Sequence, residues 1–117
     1  MKATAKARHV RMSPRKARQV IDLVRGKNVE EAINILHFTN KKAAGPIEKT
    51  VRSAVANILH KDDENEIDTD QLFIAEARVD GGPMMRRFRP ASMGRAMRIR
   101  KRTCHITVTV ADGEEDE

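Results

Sequence analysis

Residues 80–110 read DGGPMMRRFRPASMGRAMRIRKRTCHITVTV, and this stretch decides the fold. Its last eight residues alternate cleanly, with Cys104, Ile106, Val108 and Val110 on one side and Thr103, His105, Thr107 and Thr109 on the other. Successive side chains of a strand point to opposite faces, so this period of two predicts a strand with one apolar face. Residues 84–102, just before it, carry eight basic side chains and no acid. Connections of that length are uncommon inside a compact domain unless they have a task of their own. Leu72 to Val79, on the far side of the connection, predicts a partner strand. The whole unit reads as a hairpin over 81–102 that leaves the sheet. With about ten residues per arm at roughly 3.3 Å each, it would reach some 30 Å beyond the body.

A two-stranded ribbon is marginal in water, and this one repels itself. Small residues (Gly81, Gly82, Ala91, Ser92, Gly94, Ala96) keep it thin, and Met84, Met85, Met93 and Met97 supply soft, adaptable packing. It becomes ordered when something anionic surrounds it. RNA fits that need, because arginines fork onto phosphates and stack on unpaired bases. A floppy surface loop is the bland alternative.

Working outward, the charges fall into blocks. Residues 1–27 hold nine Lys and Arg against Asp22 alone, whereas residues 28–80 hold six basic side chains against eleven acidic ones. After the basic connection comes an acidic tail, Asp112 to Glu117, and the net charge over 117 residues is +6. Two cationic segments flank an acidic middle. Packing both onto one body costs self-repulsion that a polyanion offsets, with counterions released as phosphates are neutralised. A solvated surface would intersperse the two signs, and here they are segregated.

The N-terminal block also has regular structure. Lys2, Thr4, Lys6 and Arg8 alternate with Ala3, Ala5 and Ala7, which predicts a half-buried strand over 2–12. Ser13-Pro14 predicts a helix start, with Ser as cap and Pro at the first helical position. Ala17, Val20, Ile21 and Val24 form its buried stripe, Arg15, Arg18, Asp22 and Arg25 take another face, and Gly26 ends it. Asn28 and Glu31 read as a capping box for a short second helix with Val29, Ala32, Ile33 and Leu36 inward, ending near Phe38. A third helix begins between Lys41 and Pro46 and runs to about His60, with Ile47, Val51, Ala54, Val55 and Ile58 on its core face. Pro46 either starts it or kinks it. Lys61 to Gln71 reads as an exposed acidic loop. One α+β domain over 1–111 results, with residues 112–117 as a disordered tail.

Composition excludes several classes. Apolar residues make up 39% and aromatic ones 3%, with no Trp or Tyr, so the core is modest and aliphatic and a partner that binds the folded form stabilises it. No run of about 18 apolar residues suits a membrane span. Cys104 is the sole cysteine, which forbids an intrachain disulfide and fits a reducing cytosol. No secretory segment opens the chain. His9, His37, His60, His105 and Cys104 lack metal-ligand spacing, and no phosphate-cradling loop or paired catalytic side chains are present. A loose Mg²⁺ shared with RNA is compatible, and no other cofactor is expected. The main rival reading is a DNA-binding regulator that lays helix 13–25 in a major groove. Such helices usually carry Asn or Gln among their arginines for base reading, and this one offers only Gln19.

Several motifs stand in a shared order. They are Ser13-Pro14-Arg15-Lys16-Ala17-Arg18, Ile21-Asp22-Leu23-Val24-Arg25-Gly26-Lys27, Thr39-Asn40-Lys41-Lys42-Ala43-Ala44, Ser53-Ala54-Val55-Ala56-Asn57, Gly94-Arg95-Ala96 and Arg102-Thr103-Cys104-His105-Ile106-Thr107-Val108. Together they resemble the bacterial form of the family of protein twenty-two of the large ribosomal subunit, over nearly the whole chain. Gly45-Pro46 and the acidic tail depart from its usual pattern. The resemblance implies three helices packed on a three-stranded antiparallel sheet with a long β-hairpin extension. It also implies a structural constituent of the large subunit that binds large-subunit rRNA, aids assembly and lines the nascent-peptide exit tunnel. Neighbouring large-subunit proteins and the nascent peptide would be further partners, with no membrane and no homo-oligomer. Carried over by position, the tunnel-lining tip would be Met84, Met85, Arg86, Arg87, Phe88, Arg89 and Pro90, with Met85, Arg86 and Arg87 nearest the constriction. On this reading the body meets rRNA through Lys2, Lys6, Arg8, His9, Arg11, Ser13, Arg15, Lys16, Arg18, Arg25 and Lys27. The hairpin does so through Arg86, Arg87, Arg89, Arg95, Arg98, Arg100, Lys101 and Arg102, with His105 at its foot.

Overall fold

The cleanest strand of the sequence, β5 (Cys104–Ala111), takes the middle of a three-stranded antiparallel sheet between β1 (Lys2–Val10) and β2 (Phe73–Gly81). The computed structural model describes residues 2–61, 69–83, 85–90 and 96–112, and the backbone alone for residues 69, 85–90 and 96–101. Most of the acidic loop (62–68) and of the tail (113–117) lies outside the described residues. Register places Ala5 and Ala77 on either side of Val108, and Ala7 and Val79 on either side of Ile106. That face is apolar and takes the helices.

The central position of β5 adds burial that alternation does not foretell. Thr103, Thr107 and Thr109, on the other face, are buried as well. Lys6 and Arg78 flank Thr107 in register, Thr4 and Glu76 flank Thr109, and the Thr4 and Thr109 hydroxyls lie 2.9 Å apart. Lys6, Arg78 and Glu76 are longer than the central threonines they flank.

Three helices cover the apolar face: α1 (Pro14–Ile21), α2 (Val29–Phe38) and α3 (Ala44–Lys61). Ala17, Val20, Ile21 and Val24 of the first stripe, and Ile47, Val51, Ala54 and Ile58 of the third, all sit in one core with Ile106, Val108 and Val110. Helix α1 is shorter than its sequence predicts. After Ile21 the chain tightens, with Leu23 N–H bonded to Val20 and Val24 N–H to Ile21, both at 3.1 Å. These are the three-residue steps of a 3₁₀ winding. It runs to Gly26, whose φ of +78° reverses the chain where a side chain would be strained. Ser13 holds the cap position with extended backbone, yet its hydroxyl makes no capping bond.

Asn28 does cap α2: its Oδ1 accepts from Glu30 N–H at 2.9 Å, and its Nδ2 donates to the Asp70 carbonyl at 2.7 Å. Glu31, expected to reach back, instead lies 3.9 Å from Lys27 Nζ. In α3, Pro46 falls in the first turn and so starts the helix rather than kinking it. Its missing N–H belongs to the group that has no partner within a helix anyway.

Both outer edges of the sheet are met by side chains. Lys61 Nζ donates to the Lys2 carbonyl at 3.0 Å and Asn57 Nδ2 to the Thr4 carbonyl at 3.1 Å. Four helical residues advance about 6 Å and two strand residues about 6.6 Å, so donors four apart on α3 match carbonyls two apart on β1. On the opposite edge, Arg18 Nε donates to the Val79 carbonyl and Arg25 to that of Ala77. An edge strand's free backbone groups need such cover.

A second, two-stranded sheet forms the extension, from β3 (Met85–Pro90) and β4 (Ala96–Lys101). Met85 pairs with Lys101 and Pro90 with Ala96, so the connection between the arms is 91–95. This corrects the expected tip. Met85 to Pro90 make up one complete arm, with Met85 at its base and Pro90 at its far end. Met84 and Arg95 fall outside the described residues. Elongation is plain in a radius of gyration of 17.6 Å, against about 13 Å for a compact chain of this length.

Candidate nucleic-acid interface

Where the extension leaves the body, Gly82 N–H bonds to the Thr103 carbonyl at 2.9 Å and Thr103 Oγ1 donates to the Pro83 carbonyl at 2.6 Å. A Cβ on Gly82 would stand 2.5 Å from Thr103 Oγ1, so only glycine lets the two chains pass this closely. The N-terminal end of α1 lies beside this neck. Ser13, Arg15, Arg18, Gly81, Gly82, Arg102 and Thr103 line one hollow of about 320 Å³. Helix and hairpin foot, some ninety residues apart in sequence, thus present Arg15 and Arg102 to the same space. Both are exposed, and neither side chain has a hydrogen bond or ion pair with another described residue.

Other expected contacts are spent within the protein. Arg25 gives Nε and Nη2 to Ala77 and Nη1 to Asp22. Arg18 gives Nε to Val79, and Lys27 faces Glu31. Arg18 and Arg25 tie α1 and the turn after it to β2, and Arg18 also lines the hollow.

A third arrangement involves Lys6, Arg8, His9, Asp80, His105 and Thr107, around a hollow of about 250 Å³. His9 has a φ of +57° inside a register shift of β1, and its N–H donates to His105 Nδ1 at 3.1 Å. The two rings meet edge to face with centroids 4.9 Å apart. His105 therefore braces the bulge and holds its Nδ1 as an acceptor. Lys6 and Arg8 stay unpaired among the described residues.

Sequence reasoning passed over Lys41, Lys42 and Lys49, which sit in the block with an acidic balance. All three are exposed and unpaired among the described residues. Lys41 and Lys42 join Lys16 around a groove beside α1, and Lys49 joins Lys6 in a shallow hollow between β1 and α3. The available signal was two adjacent lysines in a stretch with no acid between Glu31 and Glu48. Block averages hid it.

No group of three potential metal ligands gathers among the described residues, and no helix there is long and apolar enough to cross a membrane. Cys104 is buried, and burial pushes its thiol above the ordinary range, with the Arg18 guanidinium opposing part of that rise. A thiol so held is a packing group rather than a nucleophile.

Residues 5–111 match the family described as Ribosomal protein L22p/L17e. Large ribosomal subunit protein uL22 of Desulfitobacterium hafniense (strain Y51) is 55% identical over 113 residues, which cover 97% of this chain and 96% of that protein. The protein of the same name from Staphylococcus aureus (strain JH9) is 52% identical over 116 residues, 99% of this chain and 97% of its own. A cationic α+β body with a projecting ribbon, matched over nearly its full length to such proteins, defines a structural class, that of ribosomal proteins. It is not an enzyme class. The chain belongs to the ribosomal protein L22p/L17e family. The DNA-binding regulator falls with that membership, and two of the arginines it would need over residues 13–25, Arg18 and Arg25, are bonded to β2.

Proposed function

We propose that this structural constituent of the large ribosomal subunit works as an rRNA-binding scaffold. Its body docks on phosphates, and its basic hairpin lines the nascent-peptide exit tunnel. The observation that carries the reading is the meeting of Arg15 on α1 with Arg102 at the hairpin foot, on one surface with no acid lining it. A single RNA segment crossing the neck would engage both, and so fix the direction in which the hairpin enters the RNA. Phosphate contacts of this kind position without reading sequence.

Lys2, Lys6, Arg8, His9, Arg11, Ser13 and Lys16 extend the docking surface of the body. Arg18, Arg25 and Lys27 act chiefly through the shape of that surface. In the hairpin, Arg86, Arg87, Arg89, Arg95, Arg98, Arg100 and Lys101 supply the charge that rRNA encloses. The register makes Arg89 and Pro90, rather than Met85, the members of the first arm nearest its far end. Magnesium ions shared with rRNA and neighbouring ribosomal proteins complete the surroundings.

The test is a sucrose gradient of cell lysate in high salt. Stoichiometric co-sedimentation with the large subunit is expected, and loss of it in the Arg15→Ala/Arg102→Ala double variant. A chain that stays apart from ribosomes, or a double variant that incorporates as well as the parent, would refute the reading.

A further inference from the structure

The flank of α1 that faces away from the hairpin carries a second feature, a groove of about 690 Å³ against the connection between α2 and α3. We propose that this groove is a binding site for an unpaired nucleotide of single-stranded RNA, with the base inside and the flanking phosphates on the rim. The inference rests on the reading of the chain as an RNA-binding scaffold and adds to it a distinct site with its own ligand chemistry.

Three kinds of side chain meet there, and each answers one part of a nucleotide. Lys16, Lys41 and Lys42 line the groove, exposed, their side chains without a hydrogen bond or ion pair to any described residue, and the lining contains no acid. A protein surface seated on them would have to desolvate three cations or bring matching carboxylates. A phosphodiester brings its charge with it. Leu23 contributes an apolar surface that is 45% exposed, suited to the face of a base. Gln19 and Asn40, both exposed on the lining, offer amides that donate and accept, which is what the edge of a base requires.

Geometry selects the single strand. In A-form RNA the bases are stacked and their edges recede into a narrow groove, whereas an unpaired base can be splayed out and inserted. Arg15 and Arg18 of the same helix line the hollow beside the hairpin foot, and Ser13 borders both spaces. A strand that crosses the neck of the hairpin therefore reaches the groove by passing over the start of α1.

Fluorescence anisotropy of the full chain tests this with a labelled, unstructured RNA 12-mer and with the duplex of the same sequence. The Gln19→Ala/Asn40→Ala variant is expected to weaken the single strand by about tenfold, the loss of one well-held base, and to leave the duplex within about twofold. Its salt dependence stays that of the parent. In Lys41→Ala/Lys42→Ala, the slope of log affinity against log salt for the single strand falls by about 1.4, two contacts at 0.7 each. Melting by circular dichroism confirms that each variant is folded. Groove variants that bind both RNAs like the parent, while Arg15→Ala/Arg102→Ala loses binding, remove the groove site and leave the scaffold standing. Equal binding by every variant, that double included, removes both. A Leu23→Glu chain that binds the single strand normally yet fails to enter large subunits assigns the groove to a protein neighbour and overturns the proposal.

Discussion

Arg25 donates to the carbonyl of Ala77 through both Nε and Nη2, at 3.1 and 2.8 Å, while its Nη1 meets Asp22 at 2.8 Å. An arginine that sequence assigns to the ligand is thus a strut between the turn after α1 and the outer strand. Replacement by Ala is expected to lower the free energy of unfolding by about 1–2 kcal/mol, since the bonds are charge-assisted but only partly buried. Lysine cannot fork onto one carbonyl and should recover little. Asp22→Asn touches only the exposed ion pair and should cost no more than about 0.5 kcal/mol. Urea titrations of the three variants check the order.

At the neck, Gly82→Ala sets a Cβ 2.5 Å from Thr103 Oγ1 and 3.2 Å from His105 Nε2. The crossing must open, at a cost of about 1–3 kcal/mol. Gly45→Ala, with open space around its Cβ, is the control and should be stable. Thermal melts of the two would show it.

Cys104 offers a pH signature. Its folded thiol is raised by burial, so the folded state keeps a proton that the unfolded chain gives up first. That contribution to stability is present below the ordinary thiol value and is lost as pH rises past it. Stability should therefore decline above the ordinary thiol range in the parent and less so in Cys104→Ala. Iodoacetamide should label the native protein far more slowly than the urea-unfolded one at the same pH.

RNA affinity should separate the cations that are free from those that are bonded. Arg15→Ala and Arg102→Ala are each expected to reduce the salt slope by about 0.7–0.9 and to weaken all RNA sequences alike. Arg25→Ala should leave the slope in place. Binding isotherms at several salt concentrations give the comparison directly.

The ribbon of β3 and β4 is a two-strand sheet separate from the main one. Backbone amides over 85–89 and 96–101 are expected to exchange within seconds in the free protein and to become protected in assembled large subunits. Protection in the free protein would show that RNA is not needed to order it.

Much of this architecture could be read from residue order, because it depends on local period. The alternation of Cys104 to Val110 gave β5 within one residue, and the spacing of Ile47, Val51, Ala54 and Ile58 gave the inward face of α3. Asn28 announced the start of α2. What local period does not carry is which helix lies against which strand. The bonds from Arg18 and Arg25 to β2, and from Asn57 and Lys61 to β1, exist only once that placement is made. The left-handed His9 gives no composition signal either, since the register shift arises from pairing with β5. Position along the hairpin was misjudged for the same reason: the turn follows from strand pairing, Pro90 against Ala96, and not from the arginines.

The donors that meet the two outer strands come from α1 with the turn that follows it and from α3, so the helices do more than fill the core. Loosening either one bares a row of backbone carbonyls before the sheet itself has come apart. A sample warmed short of its melting point should then fail by sticking to copies of itself, strand against strand, while most of its secondary structure is intact. The side chains that fasten the helices decide how long the free chain keeps from polymerising before RNA takes it up.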